Sequence, residues 1–311
     1  MLNHVRSVII LAVALVVSGV SAAQARPDTW VSPEGSDTGT CPATAPCRTF
    51  AYAHGQTSNN GSINVLSSGS FGPLTITKPI SIVAQGAQGL ITTGESGAAI
   101  TVQAGEAAIV SLRGLTIDMR GGPNHGIRFV SGNALHVQDC VIRRADNGIE
   151  FAPAAGFTEL YVADSVIASS ADTGINIQPT GSTAARIVVD RVRIESPAFH
   201  GIVIAGHNTT GSINATVRDS IAAGGAGTGI SAVDAGGGTT RVMVDRSASL
   251  NNFHGISVGG ANTTLWIGDS TISGNSGIGF VSSGGASVSY GTNKVNGNAT
   301  DGAATSSTAH K

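Results

Sequence analysis

Three histidines that each precede a glycine are the residues most able to do chemistry. They lie in PNHGIRFV at 123–130, PAFHGIVI at 197–204 and NNFHGISV at 251–258. Because histidine changes charge near neutral pH, a histidine kept in three places could be a general base, as in enzymes that cleave sugars. It could equally be a turn residue that recurs because the architecture recurs. What lies between the copies separates the two interpretations.

The sequence between the histidines is a repeat. Gly-Ile pairs begin at positions 126, 148, 174, 201, 229, 255 and 277, so they are 22–28 residues apart. Each repeat divides into three short segments with alternating apolar and polar residues, the pattern of strands with one buried face. Stacked coils of three strands bury a face that one coil cannot bury alone. The repeat therefore predicts an all-β parallel β-helix of about nine to ten coils. Its internal ladder would be Ile127, Ile149, Ile175, Ile202, Ile230, Ile256 and Ile278.

Composition supports many short strands and excludes one class of partner. The 311 residues include 43 glycines, and 41% are hydrophobic while only 12% are charged and 4% aromatic. Small β-branched side chains with glycine turns suit strands. The net charge of −2 and the lack of a basic run exclude nucleic acid, whose binding depends on phosphate neutralisation.

The first residues of the chain predict export. Residues 1–25 have the charge, apolar core and small-residue cleavage site of a signal peptide, so we expect a secreted or periplasmic protein with no membrane span after cleavage. Residues 26–60 would be an N-terminal cap, residues 61–300 the β-helix, and residues 301–311 a disordered tail.

The cysteines fit an oxidising compartment. Cys41 and Cys47 form a C-x5-C pair in a proline-rich loop and predict a local disulfide. Cys140 lies among core-like residues and is predicted to be a buried free thiol. No further Cys or His ligands lie nearby, so we expect no metal site.

The mature N-terminus carries a family resemblance. TWVSPEGSDTGTCPATAPCRTFAYA at 29–53, with the later GI-x-I and V-x-D-S-x-I segments, resembles secreted β-helix proteins of the pectin-lyase-like fold. The resemblance implies right-handed winding and a short capping helix around residues 48–54. That fold carries lyases, hydrolases, epimerases and non-enzymes, so it implies little about activity.

The repeat favours structural roles for two columns of residues. The positions before the repeat glycines are His125, Asn147, Thr173, His200, Thr228, His254 and Ser276, which are typical turn residues. His200 and His254 would be two coils, about 10 Å, apart and could not share a metal. An aspartate follows one strand of each coil, at Asp139, Asp164, Asp190, Asp219, Asp245 and Asp269. One carboxylate per coil, often beside an arginine, indicates strand-end capping and not a calcium ladder.

The same resemblance implies where an active site would lie. In enzymes of the fold the substrate groove follows the first strand of the coils, where this chain has Arg128, Glu150, Asn176, Val203, Ser231, Ser257 and Gly279 facing outward. Arg128 and Glu150 are therefore the candidate catalytic residues, or simply a weak cross-coil ion pair. A candidate binding patch comprises Arg128, Arg143, Arg144, Asp146 and Glu150, with a solvated polar stripe as the alternative.

These features predict a secreted, non-catalytic β-helix that binds polysaccharide or a cell-envelope component. The alternative is a polysaccharide lyase or glycoside hydrolase acting on acidic polysaccharide. No cofactor is expected, and calcium would be involved only in a lyase.

Overall fold

A computed structural model describes residues 26–93, 97–120 and 124–309. The predicted signal peptide, residues 1–25, lies outside the described residues. No helix among those described is long and apolar enough to cross a membrane.

The described residues form almost entirely short strands, with one helix near residue 50. The first elements are β1 (Arg26–Val31), α1 (Phe50–Gln56), β2 (Thr57–Val65), β3 (Gly69–Ser70), β4 (Leu74–Ile76), β5 (Ile80–Val83), β6 (Gly89–Thr92), β7 (Ile100–Gln103), β8 (Ile109–Arg113) and β9 (Leu115–Asp118). The middle elements are β10 (Ile127–Ser131), β11 (Ala134–Gln138), β12 (Val141–Arg143), β13 (Ile149–Phe151), β14 (Phe157–Ala163), β15 (Val166–Ala168), β16 (Ile175–Ile177), β17 (Ala184–Asp190), β18 (Arg193–Glu195), β19 (Ile202–Ala205), β20 (Ser212–Arg218) and β21 (Ile221–Ala223). The last are β22 (Thr228–Val233), β23 (Thr239–Asp245), β24 (Ala248–Leu250), β25 (His254–Gly259), β26 (Thr263–Gly268), β27 (Thr271–Ser273), β28 (Ile278–Ser283), β29 (Ala286–Ser289), β30 (Lys294–Asn296), β31 (Thr300–Gly302) and β32 (Ser306–Ser307).

These strands form three parallel sheets that wind as one solenoid of about nine coils, which confirms the predicted parallel β-helix. Sheet A contains β1, β2 and every third strand from β5 to β32. Sheet B contains every third strand from β3 to β30, and sheet C every third strand from β4 to β31. Each coil passes through sheets C, A and B in turn, so residues 22–28 apart in sequence become neighbours.

The predicted isoleucine ladder lines the inner face of sheet C and is correct for six of its seven members. In-register pairing runs from Ile127 through to Ile256, and all six side chains are buried. The seventh is wrong, because Ile256 pairs with Phe280 and Ile278 pairs with Thr300. The register of this coil is displaced by two residues, so the larger phenyl ring fills the ladder position there. The outward residue there is consequently Val281, paired with Ser257, and not Gly279.

The repeat glycines recur because no side chain fits at the corner between sheets B and C. A Cβ added to Gly174 would lie 2.5 Å from Cγ2 of Ile194 and 2.7 Å from the carbonyl oxygen of Gly201 in the next coil. Equivalent collisions would occur at Gly126, Gly148, Gly201, Gly229 and Gly255. From Gly126 to Gly255 the corner therefore requires glycine for space, whereas the preceding coil has Ala99 at the equivalent position, directly before Ile100.

The N-terminal end is closed by α1 and by the disulfide loop. The predicted helix begins at Phe50 because Thr49 is its N-cap, with Oγ1 accepting the Tyr52 N–H at 3.2 Å. Phe50 is fully buried and packs on Phe71 with ring centroids 5.0 Å apart. The Cys41–Cys47 disulfide is present, as predicted.

The predicted aspartate column is two adjacent columns at the corner between sheets A and B. The strand-end column is Gln138, Ala163, Asp190, Arg218, Asp245 and Gly268. The turn column, with φ between 44° and 54°, is Asp139, Asp164, Arg191, Asp219, Arg246 and Asp269. In the three central coils arginine and aspartate exchange places from one coil to the next. Opposite charges therefore alternate both along and across the coils.

Ion pairs follow this alternation. Arg191 bonds Asp164 at 2.6 Å in the preceding coil and the fully buried Asp190 beside it at 2.7 Å. Arg218 reaches the same Asp190 at 2.9 Å from the next coil. These bonds lower the pKa of Asp164 below its usual value, chiefly through the hydrogen bond from Arg191. The column is structural, as the sequence indicates.

Exchanging Arg218 and Asp219 (Arg218→Asp with Asp219→Arg) tests this alternation at constant composition. The exchange aligns three aspartates in one column and three arginines in the other, and should lower the free energy of unfolding by about 1–3 kcal/mol. The matched control exchanges Arg193 and Glu195, an exposed pair within β18, and should change stability by less than about 0.5 kcal/mol. Urea unfolding checks both. Equal losses of unfolding free energy in the two variants would show that the alternation of charges does not stabilise the protein more than an exposed ion pair does.

The solenoid continues into the segment predicted to be a disordered tail. Within residues 301–309, β32 pairs with β29, and Ala304 packs against the core. Thr305 anchors the segment, because its Oγ1 donates to the Ser287 carbonyl at 2.7 Å and accepts the Ser287 N–H at 2.9 Å. These side-chain bonds order a stretch whose composition alone indicates disorder.

Candidate functional site

The outer face of sheet C brings Arg128 and Glu150 together. The two residues are direct neighbours on β10 and β13. Along the same outward column, uncharged residues lie on both sides: Thr75 and Thr101 before them, and Asn176, Val203, Ser231, Ser257 and Val281 after them. The pair is therefore an isolated charged spot on an otherwise neutral face.

Glu150 is held by two asparagines and not by an ion pair with Arg128. Its Oε2 accepts hydrogen bonds from Nδ2 of Asn147 and from Nδ2 of Asn176, each at 2.9 Å. Partial burial raises the pKa of Glu150, and this outweighs the Asn176 hydrogen bond and the charges of His125 and Arg128, which lower it. The carboxylate is fixed in position and is a stronger base than an exposed glutamate.

His125 differs from the two histidines that share its motif. Nδ1 of His200 accepts the Thr228 N–H at 2.9 Å, and Nδ1 of His254 accepts the Ile278 N–H at 3.0 Å. Those two are turn residues that link coils, as predicted. Nδ1 of His125 is buried and has no hydrogen-bond partner among the described residues, and the His125 charge acts on Glu150. The imidazole of His125 is therefore not used to link two coils.

One further unpartnered atom lies at the same place. Asn176 is only 8% exposed, and its Oδ1 has no hydrogen-bond partner among the described residues, although its Nδ2 donates to Glu150. A buried amide oxygen without a donor is unusual in proteins.

Two further residues of the predicted binding patch, Arg143 and Arg144, lie apart from this site. Arg143 and Arg144 bond Asp118, with Nε distances of 3.1 Å and 2.8 Å, at the end of sheet B. Burial alone would raise the pKa of Asp118, but the hydrogen bond and charge of Arg144, with further contributions from the Arg120 N–H and the Arg143 charge, lower it. Asp146, in contrast, lies in the turn between β12 and β13 directly before Asn147, and its N–H donates to the carbonyl of Asn124, beside His125, at 2.7 Å. The structure thus gives Arg143 and Arg144 an ion-pair role and leaves Arg128 and Glu150 on sheet C.

Other reactive groups are inert or absent from the described part of the chain. Cys140 is a buried free thiol, as predicted, and burial raises its pKa to about 11. Within residues 26–93, 97–120 and 124–309, no three His, Cys, Asp or Glu side chains are grouped so as to hold a metal ion.

Two solved structures resemble this chain over most of its length. A crystal structure of pectate lyase Pel9A aligns with a TM-score of 0.58 and 14% identity, covering 93% of this chain and 80% of that one. A rhamnogalacturonan lyase aligns with a TM-score of 0.57 and 12% identity, covering 89% and 88%. The chain has the pectin-lyase-like fold. No protein-family model matches the chain, and no curated protein matches its sequence.

In this pectin-lyase-like fold, sheet C is open to solvent on its outer side. The connections from sheet C to sheet A are short, with two residues between β10 and β11 and five between β13 and β14. A long polymer could therefore lie along the sheet without entering a pocket. The Gly-Ile repeat locates Arg128 and Glu150, but no sequence signal distinguishes His125 from His200 or places Asn147 and Asn176 on Glu150.

Proposed function

We propose that the protein binds an acidic polysaccharide along the outer face of sheet C and cleaves it by β-elimination at Arg128, Glu150 and His125. The observation that carries this proposal is Glu150, a partly buried carboxylate with a raised pKa. It lies beside the Arg128 guanidinium and near a histidine whose Nδ1 has no hydrogen-bond partner among the described residues. The two lyases of the same fold support the reaction class. A hydrolase would need two carboxylates flanking the glycosidic bond, and among the described residues the outward column of sheet C has one.

Each residue has a distinct task in the elimination. Arg128 pairs with the uronate carboxylate and stabilises the negative charge that develops on it. Glu150 removes the proton from the adjacent carbon, and the electrons of that C–H bond form a C=C bond as the glycosidic C–O bond breaks. His125 gives a proton to the departing oxygen. The products are a new reducing end and an unsaturated sugar.

The proposal is tested by turnover of the chain from Arg26 onward on a panel of acidic and neutral polysaccharides, from about pH 4 to about pH 9. Unsaturated products absorb in the ultraviolet, whereas hydrolysis yields reducing ends alone. We expect unsaturated products from an acidic polymer. Reducing ends without ultraviolet absorbance, or no turnover by the folded protein, would overturn the proposed elimination.

The pH profile of kcat/KM is a specific prediction, because it reports the pKa values of the free protein. Glu150 must be ionised to accept a proton, so the acidic limb of kcat/KM should rise with pH through a midpoint above the ordinary glutamate value of 4.5. A midpoint at or below that value would contradict Glu150 as the base.

A non-catalytic binding module is the second candidate. The short connections beside sheet C favour it, because they build no lid that would exclude water from a reacting sugar. If the protein is a binding module, it should bind the same polymer, and replacing Arg128 should weaken that binding. No product should form under any condition.

A further inference from the structure

The FHGI motif occurs twice, and both copies expose a phenylalanine at the corner between sheets B and C. The side chains of Phe199 and Phe253 are 55% and 48% exposed. Burial of a phenyl ring is favourable, and most large apolar side chains of the described residues are buried. Two half-exposed rings at matching positions on one corner are a surface feature without a role in the core.

Phe199 and Phe253 occupy equivalent positions two coils apart. The Gly227 N–H donates to the Phe199 carbonyl at 2.8 Å, and the Phe253 N–H donates to the Gly227 carbonyl at 3.0 Å. Because neighbouring coils are about 4.8 Å apart, the two phenylalanines are about 10 Å apart along the solenoid. A Cβ at Gly227 would lie 2.7 Å from Nδ1 of His200, so the coil between them carries no side chain at this position.

The adjacent histidines hold the rings. The Phe199 ring lies 6.4 Å from His200 at an interplanar angle of 45°, and the Phe253 ring lies 4.4 Å from His254 at 53°. Both imidazoles accept backbone N–H groups of the next coil, which fixes their position. The Phe253 ring thus lies against a fixed imidazole before any ligand arrives, which lowers the entropy that ordering this ring would cost, whereas the Phe199 ring lies farther from its own histidine.

The rings lie on the same rim of sheet C as the Glu150 site. Asn147, which donates to Glu150, is in the same corner, two coils before Phe199 and four before Phe253. The outward residues of sheet C between them are uncharged, with Asn176, Val203 and Ser231 in sequence. A polymer lying along sheet C from Glu150 therefore passes both rings.

We propose that Phe199 and Phe253 form an aromatic subsite on which two sugar units of an extended glycan stack. The inference rests on the proposed function, since the glycan is the acidic polysaccharide that reaches Arg128 and Glu150. The two-coil spacing matches two units of an extended chain, so the bound polymer is one in which alternate units present the same apolar face.

The test compares two oligosaccharides of the polymer. One spans the four coils from Glu150 to Phe253, and the other is too short to reach Phe199 from Glu150. Dissociation constants are measured by calorimetry in the Glu150→Gln background, and kcat/KM is measured with Glu150 intact. Phe199→Ala with Phe253→Ala should weaken binding of the long oligosaccharide about 5- to 100-fold and leave the short one unchanged. Phe157→Ala, which removes an equally exposed ring from sheet A, is the matched control and should change neither.

The outcomes separate this inference from the proposed function. Unchanged affinity for the long oligosaccharide in the double variant overturns the aromatic subsite, and turnover of the short one still tests the elimination. Loss of length-dependent binding, with no turnover by the parent protein, supports the subsite and overturns the elimination. Equal weakening of both oligosaccharides, or no binding of either by the parent, also overturns the subsite.

Discussion

Glu150→Gln is expected to fold like the parent protein and to lose about 10²- to 10⁴-fold in kcat, the range for removal of a general base. The substitution keeps the contacts of the side chain, because the amide oxygen of a glutamine can still accept the hydrogen bonds that Asn147 and Asn176 donate to Oε2. The amide, however, cannot accept the proton of the substrate, so the general base is lost. Product formation is measured by ultraviolet absorbance under saturating polysaccharide.

The raised pKa of Glu150 also predicts how the stability of the protein changes with pH and with the glutamine substitution. A raised carboxylate pKa means that the folded protein favours the protonated form of Glu150. The contribution of Glu150 to the free energy of unfolding is therefore present at low pH and is lost as pH rises through the raised pKa. The neutral glutamine should therefore leave the protein at least as stable at neutral pH. Glu106→Gln, at an exposed turn position after β7, is the control and should retain full turnover. Similar kcat values for Glu150→Gln and the parent would exclude Glu150 as the base.

Gly174→Ala should lower the free energy of unfolding by about 2–4 kcal/mol, the upper range for a methyl group forced into a filled space. The new Cβ would lie 2.5 Å from Ile194 and 2.7 Å from the Gly201 carbonyl oxygen, so either sheet B or the next coil must move. Gly201 belongs to the same glycine column, so a shift there would be passed to the following coil. Urea unfolding followed by circular dichroism gives the midpoint and the slope.

Gly105→Ala is the matched control for that substitution. No atom lies within 4 Å of a Cβ added there. This change should be neutral or stabilise by about 0.4–1 kcal/mol, because alanine restricts the unfolded chain. If the two variants unfolded at the same urea concentration, steric collision of a Cβ would not explain why glycine recurs in this column.

The fold was predictable because one signal is repeated in every coil. Each Gly-Ile pair is a weak indication alone, but seven at similar spacing determine a stacked architecture and the buried face of sheet C. Where the spacing varies, prediction fails: Ile278 looks like a ladder member, yet Phe280 takes that position. Asp190 and Asp164 likewise look equivalent in sequence, although a one-residue shift places them in different columns.

The candidate site was less predictable because its contacts join different coils. Glu150 receives Nδ2 of Asn176 from a residue 26 positions away, and repeats of unequal length do not specify such a register. His125, His200 and His254 carry the same motif, and only the coil that follows each one decides whether its Nδ1 gains a backbone partner. Similar local sequences therefore have different roles.

Within residues 26–93, 97–120 and 124–309 the two ends of the solenoid are built differently, and this makes its mechanical response directional. At the N-terminal end α1 and the Cys41–Cys47 loop lie over the first coils, whereas β30, β31 and β32 are the last strands of their sheets. Tension applied at the C-terminus would unwind the chain one coil at a time, since each coil is then held only by its predecessor. Each step releases roughly 25 residues, or about 85 Å of extended chain.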